Sequence, residues 1–184
     1  QVNEELENLT ARLTEMENSF DVALKSLGNM YEDEQRAREQ LEEIRGFLRQ
    51  CKLNVRSFSL PIVTDNYFVQ LSEANEAIEE VVKELDKSPI VIKTLNTRVD
   101  TARDLVLKLY NTTNQMVDYA RDIEMLLVFG NRFRLSDSTI AEKLDEVETK
   151  FYHGDYKNAL DLLVIALSKY DKNIKDKLVR KEDN

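Results

Sequence analysis

The sequence predicts an all-α fold: an elongated rod of antiparallel three-helix coiled-coil segments that share long helices, ending in a helical hairpin. Three observations point there. The 184 residues include only four glycines and two prolines and no tryptophan, too few turn-formers for a β-rich fold. Charged residues make up 33% of the chain, as suits long solvated helices. Two long stretches also repeat apolar residues at alternating spacings of three and four, the mark of a coiled-coil stripe.

The first helix is expected over about 4–57. One apolar set is Leu6, Leu13, Phe20, Leu27, Leu41, Leu48 and Val55; the other is Leu9, Met16, Ala23, Met30, Ala37, Ile44 and Cys51, and Glu34 alone breaks the register. At 1.5 Å per residue this helix is about 80 Å long. Ser59-Leu60-Pro61 ends it, because proline disfavours helical geometry in the residue before it. A second helix, about 65–86, turns Leu71, Ala74, Ile78, Val81 and Leu85 inward. Ser88 is read as the N-cap of a third helix and Pro89 as its first residue, where the missing N–H costs nothing. That helix, about 89–133, carries Ile92, Leu95, Val99, Ala102, Val106, Leu109, Thr113, Met116, Ala120, Ile123 and Leu127 in the same alternation, with Gly130 next in register.

Ser136, Asp137 or Ser138 can cap a fourth helix bearing Ile140, Leu144, Val147 and Phe151. His153-Gly154-Asp155 reads as a stop followed by a start: glycine for a left-handed terminus, aspartate for the next cap. The fifth helix carries Ala159, Leu160, Leu163, Ala166 and Leu167. The organisation read from this is a long-helix segment over 1–133, a hairpin over 134–170 packing on the end of the third helix, and a charged, frayed tail over 171–184.

Lengths constrain the topology. The short second helix can cover only the C-terminal half of the first and the N-terminal half of the third, and the hairpin folds back over the rest of the third. The stripe from Leu6 to Met30 is thereby left bare. Segments that share continuous helices in this way are spectrin-like. The bare stripe calls for a preceding repeat of a longer parent, or for a homodimer through the N-terminal half of helix one. The chain starts in mid-pattern without an initiator Met, and it reads as a piece of a longer protein.

The formal net charge is -9, which disfavours nucleic acid and anionic lipid as partners. No run of about 18 apolar residues exists to insert in a bilayer. Enzyme signals are weak, and no catalytic, metal-binding or cofactor residues are assigned. His153, the only histidine, sits among turn-formers. Cys51, the only cysteine, lies on the apolar stripe, where burial explains it better than reactivity. No glycine-rich phosphate loop is present. Residues 154–167 are similar to the second helix of a tetratricopeptide hairpin, but only one copy is visible, where such repeats need several.

The sequence LLVFGNRFRLSDS, residues 126–138, stands out. Gly130 or Asn131 could end helix three in a left-handed turn, with arginines complementing the negative end of the helix dipole. Equally, Arg132 and Arg134 flanking Phe133 match the residue types enriched in interface hot spots. The residues alone support both readings.

From LLVFGNRFRLSDS onward to SKYD, residues 126–171, the chain resembles the C-terminal end of EzrA, the septation ring formation regulator of low-GC Gram-positive bacteria. The resemblance rests on an Asn-Arg-aromatic-Arg run, a helix ending in an aromatic residue, a turn with tyrosine, and a helix with two Ala-Leu pairs. Upstream, SLPIVTDNYFVQLSEANEAIEEVVKEL followed by Ser88-Pro89-Ile90 is similar too, so it covers most of residues 40–170. Two departures are Gly130, where a polar residue often stands, and Asp171-Lys172-Asn173 in place of a Pro-Gly. The resemblance implies a non-enzymatic division protein, held by an N-terminal transmembrane helix on the cytoplasmic side of the membrane at the septum. It also implies FtsZ and other division proteins as partners, and a part in Z-ring placement for Gly130, Asn131, Arg132, Phe133 and Arg134.

Overall fold

The computed structural model describes residues 2–179. Five helices account for most of it: α1 (Val2–Ser57), α2 (Asp65–Leu85), α3 (Ile92–Gly130), α4 (Ser138–Tyr152) and α5 (Tyr156–Leu167). Single 3₁₀ turns follow α3 (Asn131–Phe133) and α5 (Ile174–Lys177). No strand occurs among the described residues.

The spine is α3. α1 and α2 both pack along it and touch each other only sparsely. Phe47 meets Tyr110 edge-on, with centroids 5.9 Å apart, and Arg121 lies over Phe58, so residue numbers rise together on α1 and α3 and the two run parallel. Thr64 reaches Met116 while Ala77 shares a groove with Thr101, so α2 runs the other way. The stripe of α1 is buried from Ala37 through Cys51, where α3 lies alongside. Leu6, Leu9, Leu13, Met16, Phe20 and Leu27 are exposed, because among the described residues no other element reaches that far.

Past the start of α2, α4 and α5 pair antiparallel and cover the protruding C-terminal turns of α3. Ile140, Leu144, Val147 and Phe151 of α4 and Ala159, Leu160, Leu163 and Leu167 of α5 are all buried. The hairpin is tied to the α1–α2 connection by Tyr156, whose hydroxyl donates to the Ile62 carbonyl oxygen. Gly154, with φ 80°, makes the turn before α5; a Cβ there would lie 2.6 Å from Ile62 Cγ2, so both backbone and space demand glycine.

Three sequence expectations change. α3 starts at Ile92 with Val91 as its N-cap, not at Pro89 after a Ser88 cap, because Ile90 packs against the core and holds the preceding residues in an extended connection. The stripe of α3 shifts near its end: Leu126 is buried and Leu127 only partly, since the hairpin approaches from a new side. The tail is not frayed over its described part. Ile174 is buried against the bundle, Lys177 pairs with Asp171 at 2.5 Å, and the Val179 N–H donates to the buried Asp122 carboxylate at 2.7 Å. Residues 180–184 of the expected tail lie outside the described residues.

Candidate functional site

At the end of α3 the helix has to be thin. Leu144 and Leu167 close over Gly130, and a Cβ there would sit 3.0 Å from one and 3.2 Å from the other. Neither Gly130 nor Asn131 turns left-handed: both have right-handed helical dihedrals, and the chain tightens into the 3₁₀ turn instead. Gly130 is buried and belongs to the packing between α3, α4 and α5.

Phe133 is held from two sides. Its ring stacks on Tyr170, with centroids 3.8 Å apart and planes 10° from parallel, and meets Phe129 edge-on at 5.5 Å. Tyr170 is fixed in turn by donating its hydroxyl to Asp137 Oδ2 at 2.5 Å. The same carboxylate pairs with Lys169, and its other oxygen accepts the Ile140 N–H at 3.2 Å, capping α4. The Lys169 ammonium, then the Tyr170 hydroxyl and the Ile140 N–H, hold the Asp137 carboxyl well below the usual carboxylate range. Asp137 thus joins the start of α4 to the end of α5.

Arg134 points along α4. One guanidinium nitrogen donates to Asp145 at 3.0 Å and another to Glu148, while its Nε is buried without a partner. Arg132 faces outward, its guanidinium 5.7 Å from the Phe129 centroid, and Asn131 is exposed beside it. Of the five residues singled out in the sequence, then, two are on the surface and three are engaged in holding the bundle end together. A docking role for Phe133 and Arg134 meets an internal competitor in each case: Tyr170 on one face of the ring, two carboxylates on the guanidinium.

Sequence reasoning missed the exposed apolar residues nearby. Val128 is 68% exposed, Met125 41% and Leu135 fully so. Met125 and Val128 fall off the three-and-four alternation of α3, which passes through Ile123, Leu127 and Gly130; that mismatch was the available signal. His153 is exposed, its Nδ1 2.6 Å from the Thr149 carbonyl oxygen, and the Cys51 thiol is pushed up by burial. Among the described residues no cluster of three or more His, Cys, Asp or Glu could hold a metal ion, and no helix is long and apolar enough to cross a membrane.

A family model described as septation ring formation regulator, EzrA, matches residues 1–181. The septation ring formation regulator EzrA of Geobacillus sp. (strain WCH70) is 31% identical over 135 residues, which are 73% of this chain and 24% of that protein. The protein of the same name from Bacillus pumilus (strain SAFR-032) is 25% identical over 180 residues, 98% of this chain and 32% of its own length. That of Listeria innocua is 25% identical over 167 residues, 90% of this chain and 29% of its own. The chain therefore spans about a quarter to a third of the length of these relatives. No solved structure matches it.

Proposed function

The chain belongs to the septation ring formation regulator EzrA family, and we propose that it is a non-enzymatic part of a cell-division regulator: a helical rod segment that binds FtsZ and other division proteins and modulates Z-ring formation and placement. The observation that carries this reading is the family match along almost the whole chain, 1–181. In it the chain works on the cytoplasmic side of the membrane at the septum. The rod is a spacer of spectrin-like segments whose far end, around Asn131 and Arg132, meets the partner. Arg132 is suited to this because it is exposed and, among the described residues, no carboxylate pairs with it. Arg134 keeps α4 in place.

The test is Arg132→Glu in the full-length parent, scored by septal fluorescence and by co-sedimentation of the purified chain with polymerised FtsZ. Placement and co-sedimentation should both fall, with an unchanged melting temperature. Wild-type placement and binding in that variant would rule the surface out.

The bare seam of α1 favours a second reading: an architectural spacer with no partner site in this segment, its exposed leucines covered by preceding helices or by a second copy. No co-sedimentation with FtsZ at low salt, together with undisturbed septal placement, would favour that reading.

A further inference from the structure

Beside Arg132 the structured tail creates a groove that no helix alone would make. Leu126 and Ile174, both buried, lie deepest in its lining, with Phe129, Arg132, Lys177 and the exposed Met125 and Val128 around them, and it encloses about 250 Å³. Arg132 and Lys177 both lie over the Phe129 ring, at 5.7 and 5.2 Å. An apolar slot is thus flanked by two cations in a chain whose net charge is -9. The tail adds Lys172 and Lys175, against Asp171 and Asp176.

We propose that this groove docks a short acidic segment of a partner protein, one apolar side chain entering between Val128 and Ile174 while neighbouring carboxylates meet Arg132 and Lys177. The proposal rests on the reading that this end of the rod is a partner surface, and it places the apolar contact in the slot beside Phe129 rather than on Phe133, whose ring Tyr170 covers. Charge sets the class of occupant. Two cations at the Phe129 ring repel a basic segment and reward a carboxylate; a short segment meets only this local field, whereas an extended nucleic acid or lipid surface also meets the acidic remainder of the chain. The volume admits one or two side chains, which suits an extended segment rather than a helix face. Lys177 already pairs with Asp171, so a partner's carboxylate joins or replaces that aspartate, whereas Arg132 has no carboxylate partner among the described residues.

The experiment uses the full 184-residue chain and a fluorescein-labelled peptide with one central phenylalanine flanked by aspartates and glutamates, read by fluorescence anisotropy. Wild type should bind saturably, and more weakly as salt rises. Arg132→Glu and Val128→Asp should each weaken binding about tenfold, as should replacing the peptide's phenylalanine by serine. Lys25→Glu, on the far half of α1, should not matter. Circular dichroism checks the fold, and Val128→Ser with Met125→Gln replaces Val128→Asp if that variant unfolds. Absence of saturable binding, binding that survives both groove substitutions, or equal binding of a lysine-for-acid peptide would each overturn the proposal. Septal placement is scored separately. Loss of placement in Arg132→Glu without any peptide binding refutes the groove chemistry alone; peptide binding with undisturbed placement in Val128→Asp refutes the placement reading alone and supports the groove.

Discussion

Phe133 shows how far a residue's role depends on partners distant in sequence. Its neighbours Arg132 and Arg134 suggest an interface, but its stacking partner Tyr170 lies 37 positions away, and Arg134 finds Asp145 and Glu148 about two and three turns along another helix. No local pattern announces such pairs, which is why the candidate site was only half legible: the segment could be found, but not which side chains face out. The structural assignment makes a contrast. Phe133→Ala should cost about 2 kcal/mol of unfolding free energy, below the range for a fully buried ring because this one is half-buried, whereas Arg132→Glu should stay within about 0.5 kcal/mol of wild type. Urea unfolding reads both, and equal midpoints for the two variants would refute the contrast. Asp137 adds a pH dependence. Its folded carboxyl is held below the unfolded value near 4, so its contribution is complete above that value and lost as pH falls toward the folded one. Asp137→Asn should therefore be less stable than wild type at neutral pH, with the gap closing below about pH 4. A gap that is the same from pH 7 to pH 3 would mean that Asp137 acts as a neutral cap only.

Among the elements, the long helices were the most legible, because the narrow stripe that buries Ala37, Leu41, Ile44, Leu48 and Cys51 is a property of one segment's own spacing. The cap of α4 was legible to within its three candidates, Ser136, Asp137 and Ser138, and of these Asp137 serves the N–H three residues on. The start of α3 was not, since the pull of Ile90 toward the core outweighs the local fitness of Ser88-Pro89 for a helix start. Nor was the tail. Lys172 through Lys177 reads as a solvated charge run, and a single isoleucine within it decides otherwise by finding the gap beside Phe129. That isoleucine should be costly to remove: Ile174→Ala, at a position 1% exposed, should destabilise by about 2–3 kcal/mol. The loss should appear together with faster amide exchange at Val179, whose N–H is held by Asp122. Wild-type stability in this variant would mean that the tail rests on the bundle without anchoring to it.

For the whole molecule, the decisive feature is that α1 and α3 run parallel but out of step. α1 has 56 residues, about 84 Å, and α3 with its hairpin passes beyond the end of α1, so the rod measures about 100 Å. A compact chain of this length would have a radius of gyration of about 16 Å; a rod of about 100 Å should give about 25–30 Å in small-angle scattering. The overhanging half of α1 is acidic, with Glu4, Glu5, Glu7, Glu15, Glu17, Asp21 and Glu32 against Arg12 and Lys25. Two such overhangs repel at low ionic strength, where the Debye length exceeds the width of a helix pair, although their leucine seams would gain from burial. Scattering of the isolated chain should therefore give the monomer value independently of concentration at low salt. At about 1 M salt, where screening removes the repulsion, the radius should rise with concentration, and Leu13→Glu, on the seam itself, should abolish the rise. A radius near 16 Å at low salt would mean that α1 folds back on the bundle. A high-salt rise that persists in Leu13→Glu would place self-association on another face of the rod.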